Sequence, residues 1–195
     1  MNRQKRLLHC YGCREFNDLA EVRKWSHDGR NLSPGLCVVS ILSSRDQSEF
    51  GERRWFTEDG NDERICLLDF SDGGLTDESE IDLFDFSRPD RDRLYVDKNA
   101  DGLYNPMSAG QAAYLARFLD LNVKKGMNIM VHCSAGASRS QGVVRYVLDM
   151  YPHINWSTRP DNPCLTPNMH VVRMLKRAYY CLPTVIMSPQ RYNDD

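Results

Sequence analysis

Cys133 and Arg139 stand six positions apart in the 195-residue chain and enclose a loop of small residues. An apolar run leads into this loop, and an amphipathic helical pattern follows it. A strand, a tight loop and a helix N-terminus together form an anion site, because backbone N–H groups converge there and the helix dipole adds about half a positive charge. A thiol in that field is favoured as a nucleophilic thiolate, and an arginine can bind two phosphate oxygens at once. The spacing therefore predicts a phosphate cradle with a nucleophile, which is a site for phosphoryl transfer.

Predicted strands and helices alternate around this loop. Apolar runs predict strands over residues 36–42, 65–70 and 128–132. Periodic patterns predict helices from Asn17 or Asp18 to Trp25, from Pro106 to about Asn122, from the loop to about Tyr151, and from Thr166 to about Tyr180. This order predicts an α/β fold with a central, mostly parallel sheet flanked by helices. Ligands of such sheets bind at the carboxyl ends of the strands, where we expect both the loop and Asp72.

The charges are unevenly distributed, although the formal net charge is only −2. Between Glu58 and Asp101 there are fifteen acidic and five basic residues, whereas basic residues are in excess on both sides of that segment. The near-neutral total does not favour a nucleic-acid partner, and no apolar run reaches the roughly 18 residues of a membrane helix. Seven cysteines, an odd number spread along the chain, favour a reducing cytoplasm. We therefore expect one domain over residues 1–195, with residues 75–104 as an acidic insertion and no membrane partner, while the oligomeric state stays open.

The sequence His132-Cys133-x-x-Gly136-x-Ser138-Arg139-Ser140 resembles the signature of the cysteine-dependent dual-specificity protein phosphatases. The strands, the helix from Pro106 and the helix start at Thr166 follow in the order of that family, as in its small bacterial and viral members. The resemblance implies that Cys133 attacks phosphorus, that Arg139 binds the equatorial oxygens and that Ser140 donates a hydrogen bond to the departing sulfur. It also implies that His132 orders the loop from the strand side. The residues implied to bind phosphate are Ser134, Ala135, Gly136, Ala137, Ser138 and Arg139, and no cofactor or metal is implied.

Several aspartates are candidates for the general acid, which the resemblance places on a separate loop. Asp72 follows its strand as the family's acid does, but it lies 61 residues before Cys133, about twice the family's usual separation. Asp101 lies 32 residues before Cys133, which matches the family's spacing, but its surroundings are typical of a turn. If residues 75–104 are an insertion, the distance is explained and Asp72 is the acid, which is the assignment we favour. Asp69 and Asp97 are further alternatives.

The leading functional hypothesis is a phosphomonoester hydrolase acting on phosphotyrosine in proteins, with phosphoserine and phosphothreonine as further substrates. The loop interior carries no basic residue before Arg139, whereas lipid-phosphatase relatives add such residues to hold extra phosphates. Phosphoinositides are therefore the weaker case, and RNA 5′-phosphates are a further alternative. A phosphate-binding module without turnover and a rhodanese-like sulfur carrier are alternatives from other functional classes.

Three cysteines outside the loop carry weaker signals. His9-Cys10-x-x-Cys13 offers soft metal ligands, but no second pair completes a zinc site, so core packing or a mobile terminus is favoured. Cys66, on a strand beside the expected site, is a hypothetical disulfide partner of Cys133 under oxidation.

Asp97-x-Asn99-x-Asp101 begins like a calcium loop but lacks the glutamate at the twelfth position, so a turn is favoured.

Overall fold

The computed structural model describes residues 5–43, 55–56, 63–73, 106–158 and 166–181. The acidic segment 75–104 lies outside these residues, so its assignment as an insertion stays a prediction. The regular elements of the described ranges are β1 (Arg6–Tyr11), α1 (Cys13–Val22), β2 (Leu36–Ile41), β3 (Ile65–Leu68), α2 (Ala109–Lys124), β4 (Asn128–His132), α3 (Arg139–Met150), β5 (Trp156–Ser157) and α4 (Met169–Cys181).

The strands form one sheet in the order β3-β2-β4-β1-β5, and every neighbouring pair is parallel. The predicted α/β class with a parallel sheet is therefore confirmed. Strand β4 lies at the centre, between β2 and β1, and the candidate phosphate loop follows it directly. All strands run in one direction, so the segments after β1, β3 and β4 leave the sheet at the same edge.

Helices cover both faces of the sheet, which explains why β2 is buried along its whole length. Alternate residues of β2 belong to two separate apolar clusters: Cys37, Val39 and Ile41 to one, Leu36 and Val38 to the other. The first cluster contains residues of α2, α3 and α4, and the second contains Phe16 and Ala20 of α1. Three helices thus pack on one face and α1 packs on the other.

The first strand and the first helix differ from the prediction. The sequence analysis placed no strand before the first helix, but Arg6–Tyr11 forms β1 and pairs with β4 and β5. Helix α1 begins at Cys13, four residues before Asn17, because the chain turns into it through Gly12 without a side-chain cap. Cys10 and Cys13 are both buried, so the expectation of core packing at this motif is confirmed.

The part of the chain that the structure describes has no helix with the length and apolar character needed to cross a bilayer.

Candidate active site

The Cys133 thiol lies at the bottom of the loop that joins β4 to α3, with only 2% of the residue exposed. The Gly136 amide donates a hydrogen bond to Sγ of Cys133 at 3.3 Å. The Ser140 hydroxyl, in the first turn of α3, lies 3.0 Å from the same sulfur. An amide and a hydroxyl at the N-terminus of a helix are placed to stabilise negative charge on the sulfur.

The loop is packed directly against the junction between β1 and α1. Gly136 has φ = +72°, and a Cβ there would lie 2.5 Å from the amide nitrogen of Gly12 and 2.6 Å from the carbonyl carbon of Tyr11. Cys13 donates its amide to the carbonyl of Ser134 at 2.8 Å. The Gln141 side-chain amide donates a hydrogen bond to the Gly136 carbonyl at 3.1 Å. The signature glycine therefore serves two needs, a left-handed backbone and a close approach to another backbone.

We expect Gly136→Ala to lower the free energy of unfolding by roughly 2–4 kcal/mol, because it combines a strained φ with a backbone clash. Gly35→Ala is the matched control, since Gly35 has φ = +76° but nothing within 4 Å of the position of a Cβ. That control carries only the conformational cost of about 1 kcal/mol. Urea denaturation of both variants measures the difference. Equal losses in the two variants would show that the contact with Gly12 is not restrictive.

Arg139 links the loop to the segment that follows β3. The residue is 3% exposed, and Nη1 of its guanidinium donates to the carbonyl of Phe70 at 3.0 Å. Arg139 is also the first residue of α3, so its side chain crosses from the start of that helix to the end of β3. A guanidinium anchored in this way has a fixed plane, which suits it to bind phosphate oxygens.

Asp72 lies against the loop, on the residues after β3. Its Oδ1 accepts hydrogen bonds from the Ser138 hydroxyl at 2.7 Å and from the side-chain amide of Asn168 at 3.1 Å. The same Asn168 amide donates to the carbonyl of Gly73 at 2.9 Å, while its side-chain oxygen accepts from the amide of Val171. Asn168 thus caps the start of α4 and fixes the Asp72 segment. The expected proximity of Asp72 to the loop is observed.

Of the other candidate acids, Asp69 lies in the part of the chain that the structure describes. Asp69 is exposed at the end of β3, and its carbonyl accepts a hydrogen bond from Gln111. Asp97 and Asp101 lie outside the described residues, as does the calcium-like sequence that contains them. The choice of general acid therefore stays a prediction.

The remaining signature residues lie where the sequence places them along the loop. His132 is fully buried and stacks on the ring of Phe16 in α1, with centroids 4.0 Å apart and planes inclined by 15°. Its role in ordering the loop from the strand side stays a prediction. The residues implied to bind phosphate range from buried (Gly136, Arg139) to partly exposed (Ser134, Ala137, Ser138) and exposed (Ala135).

Three residues that contact the loop or the start of α3 were not predicted to belong to the site: Cys10, Gln141 and Asn168. Cys10 lies on the strand that was missed, and its thiol is 3.0 Å from the Ser140 hydroxyl. The sequence analysis noted Asn168 only as part of a helix start. Gln141 carries no signal of its own, because its contact with the loop depends on the turn at Gly136.

The chain matches no protein-family model, no curated protein and no solved structure. Among the described residues, no group of three or more His, Cys, Asp or Glu side chains is placed to hold a metal ion.

Proposed function

We propose that the chain is a phosphomonoester hydrolase that dephosphorylates phosphotyrosine in proteins through a cysteinyl-phosphate intermediate. The observation that carries the proposal is the convergence of Cys133, Arg139 and Asp72 on one loop at a helix N-terminus. A nucleophile, an anion-binding fork and a proton donor are the three groups that this reaction needs.

In the first step, the thiolate of Cys133 attacks phosphorus, an S–P bond forms and the bond to the leaving oxygen breaks. Arg139 binds the equatorial oxygens, and the loop amides neutralise the charge that develops on them. Asp72 gives its proton to the leaving oxygen. Both of its hydrogen bonds from Ser138 and Asn168 fall on Oδ1, so we assign the transferred proton to Oδ2.

In the second step, a water molecule attacks the phosphorus of the intermediate and the S–P bond breaks. The carboxylate of Asp72 accepts a proton from this water, which restores the acid form. Ser140 donates its hydroxyl to the departing sulfur, for which its 3.0 Å distance from Sγ is suitable. Inorganic phosphate and the thiolate of Cys133 are the products at the site.

The loop composition supports a phosphoprotein substrate with one phosphate at the reacting position. Between Cys133 and Arg139 the side chains are small and uncharged, so the loop itself offers no extra cation for a second phosphate. A phosphoinositide or a 5′-triphosphate of RNA carries several phosphates, and such a loop provides no charged side chain to bind the additional ones.

A panel of substrates tests the proposal directly. We expect kcat/KM to be highest for a phosphotyrosine peptide, and at least about tenfold lower for a phosphoinositide and for a 5′-triphosphorylated RNA oligonucleotide. Phosphoserine and phosphothreonine peptides decide whether the specificity is dual. A higher value for RNA or lipid would replace the phosphoprotein assignment. Binding of inorganic phosphate without hydrolysis of any substrate would identify a binding module instead.

A further inference from the structure

A cavity of about 1020 Å³ opens at the edge of the sheet opposite the Cys133 loop. It lies where β1 and β4 begin and where α2 and α3 end. Arg6, the first residue of β1, lines it, whereas Tyr11 at the other end of that strand contacts the Cys133 loop. Five residue steps along β1, at about 3.3 Å each, separate the two places by roughly 16 Å. The cavity is therefore not an extension of the phosphate loop.

Positive charge is in excess around this cavity. Its basic and acidic side chains are Lys5, Arg6, Lys124, Lys125, His153 and Asp120. The Asp120 carboxylate is bound on both oxygens, by Nζ of Lys124 at 2.6 Å and by the hydroxyl of Tyr151 at 3.3 Å. Lys125 also pairs with Glu63, an exposed residue outside the cavity wall, at 3.0 Å. With both carboxylates counted and His153 neutral, the cationic side chains are still more numerous than the anionic ones.

The two helix C-termini at the cavity do not account for this excess. Each carries about half a negative charge, so α2 and α3 together offset about one lysine. Their last carbonyls already have donors: Val123 accepts from Nη1 of Arg6 at 2.9 Å and from the Gly126 amide at 3.1 Å. The Tyr151 carbonyl, after α3, accepts from the Ile154 amide at 3.1 Å. The remaining positive charge has no role in capping these helices and suits an anionic ligand.

The Arg6 guanidinium is held in a fixed plane at the cavity wall. Its Nη1 donates to the Val123 carbonyl, and a Cβ at Gly126 would lie 3.7 Å from its Nη2. The backbone of Arg6 is fixed as well, because its amide donates to the Asn155 carbonyl at 3.0 Å. An arginine fork oriented by the protein is suited to bind two phosphate oxygens at once.

The same cavity has an apolar part. Met150, Ile154 and Tyr179 line it as partly buried side chains that pack against the core. Asn128 and Asn155 add amide groups to the wall. Inorganic phosphate gains nothing from an aromatic ring, whereas a planar heterocycle packs on the ring and hydrogen-bonds to amides. A basic part and an aromatic part in one cavity match a ligand with several phosphates and a heterocyclic base.

We propose that this cavity binds a nucleoside di- or triphosphate. Its phosphates lie at the Arg6 fork and the surrounding lysines, and its base packs against Tyr179. The volume is similar to that of the largest small-molecule sites, which reach about 1,000 Å³. The inference goes beyond the proposed function and does not depend on it, because neither Cys133 nor Arg139 takes part in this binding.

Nuclear magnetic resonance of the ¹⁵N-labelled, full-length Cys133→Ser chain locates the binding site. This variant lacks the proposed nucleophile, so the added nucleotide is not hydrolysed. ATP, GTP, CTP and UTP are titrated separately, and at least one should shift the amide signals of Arg6, Gly126, Asn128 and Ile154 to saturation. These shifts support the proposal whether or not the loop also responds. Shifts confined to residues 133–140, or none with any nucleotide, would overturn it.

Isothermal titration calorimetry separates the nucleotide from its parts. We expect the nucleoside triphosphate to bind at least about tenfold more tightly than tripolyphosphate or the free nucleoside, because only the intact nucleotide uses both parts of the cavity. Tyr179→Leu should weaken binding of the nucleotide and leave that of tripolyphosphate unchanged. Equal affinities for the nucleotide and tripolyphosphate would show a site for phosphate groups only, which contradicts the proposal.

Removal of charge tests the basic part of the cavity. We expect the double variant Lys5→Gln and Lys125→Gln to weaken nucleotide binding at least about fivefold. The double variant Arg23→Gln and Arg30→Gln is the matched control. Each pair removes two exposed basic side chains, one of which is ion-paired, but only the first pair lines the cavity. Equal weakening by the two double variants would show a general effect of net charge and overturn the assignment.

Discussion

Cys133→Ser is expected to lower the rate of aryl phosphate hydrolysis by roughly 10⁴- to 10⁶-fold. A serine hydroxyl is not ionised near neutral pH and is a far weaker nucleophile than a thiolate. The substitution changes a single atom at a position where the Gly136 amide and the Ser140 hydroxyl stay in place. Initial rates with 4-nitrophenyl phosphate, followed by the release of nitrophenolate, measure the effect.

Two further measurements show whether the lower rate of Cys133→Ser comes from the missing nucleophile. Cys181→Ser is the matched control, because it makes the same exchange at an exposed cysteine far along α4 and should leave the rate within about twofold. The Cys133→Ser protein should still bind a phosphotyrosine peptide, since Arg139 and the loop amides do not depend on the thiol. Turnover retained by Cys133→Ser would rule out a cysteinyl-phosphate intermediate.

Asp72→Asn is expected to slow hydrolysis in a way that depends on the leaving group. For a phosphotyrosine peptide, whose phenol has a pKa near 10, we expect kcat to fall by roughly 10²- to 10⁴-fold. For 4-nitrophenyl phosphate, which releases a stable anion, the loss should stay below about tenfold. Asparagine has nearly the size of aspartate and can still accept the hydrogen bond from Ser138, so the two rates separate the missing proton from a structural disturbance.

The same substitution at other aspartates is the control for Asp72→Asn. Asp69→Asn removes an exposed carboxyl only three residues earlier and should affect both substrates equally and weakly. Asp101→Asn and Asp97→Asn test the alternatives that the sequence left open. If Asp101→Asn shows the dependence on the leaving group and Asp72→Asn does not, our choice of general acid is wrong.

The parts of the fold that the sequence predicted well carry strong local signals. Strand β4 has the predicted bounds, and α2 begins one residue after Ser108, where a capping box with Gln111 defines the helix start. Strand β1 was missed because its apolar run is short, with Arg6 at its start and His9 interrupting it. Its stability comes from pairing with Ile129 and other residues of β4, more than a hundred positions away. No local sequence pattern indicates which distant strand will pair with β1.

The residues of the candidate site also divide into those with a local sequence signal and those without one. Cys133, Arg139 and Ser140 belong to one short signature, so their spacing along the sequence was enough to find them. Asp72 was placed near the loop by the rule that parallel strands end at the same edge of the sheet. The contacts of Cys10 and Asn168 depend on which strand lies beside β4 and on where α4 packs, and only the folded chain supplies that information.

The packing of the loop on the β1–α1 junction also bears on when a nascent chain acquires its reactive thiol. Strand β1 leaves the ribosome before the other strands of this sheet, and its neighbours β4 and β5 follow more than a hundred residues later, which corresponds to roughly ten seconds of synthesis. Asn168, which holds the Asp72 segment, is made later still. A chain interrupted before Asn168 therefore contains the whole Cys133 signature without the partner that fixes its acid. Assembly of the site therefore waits until the segment that contains Asn168 has been made.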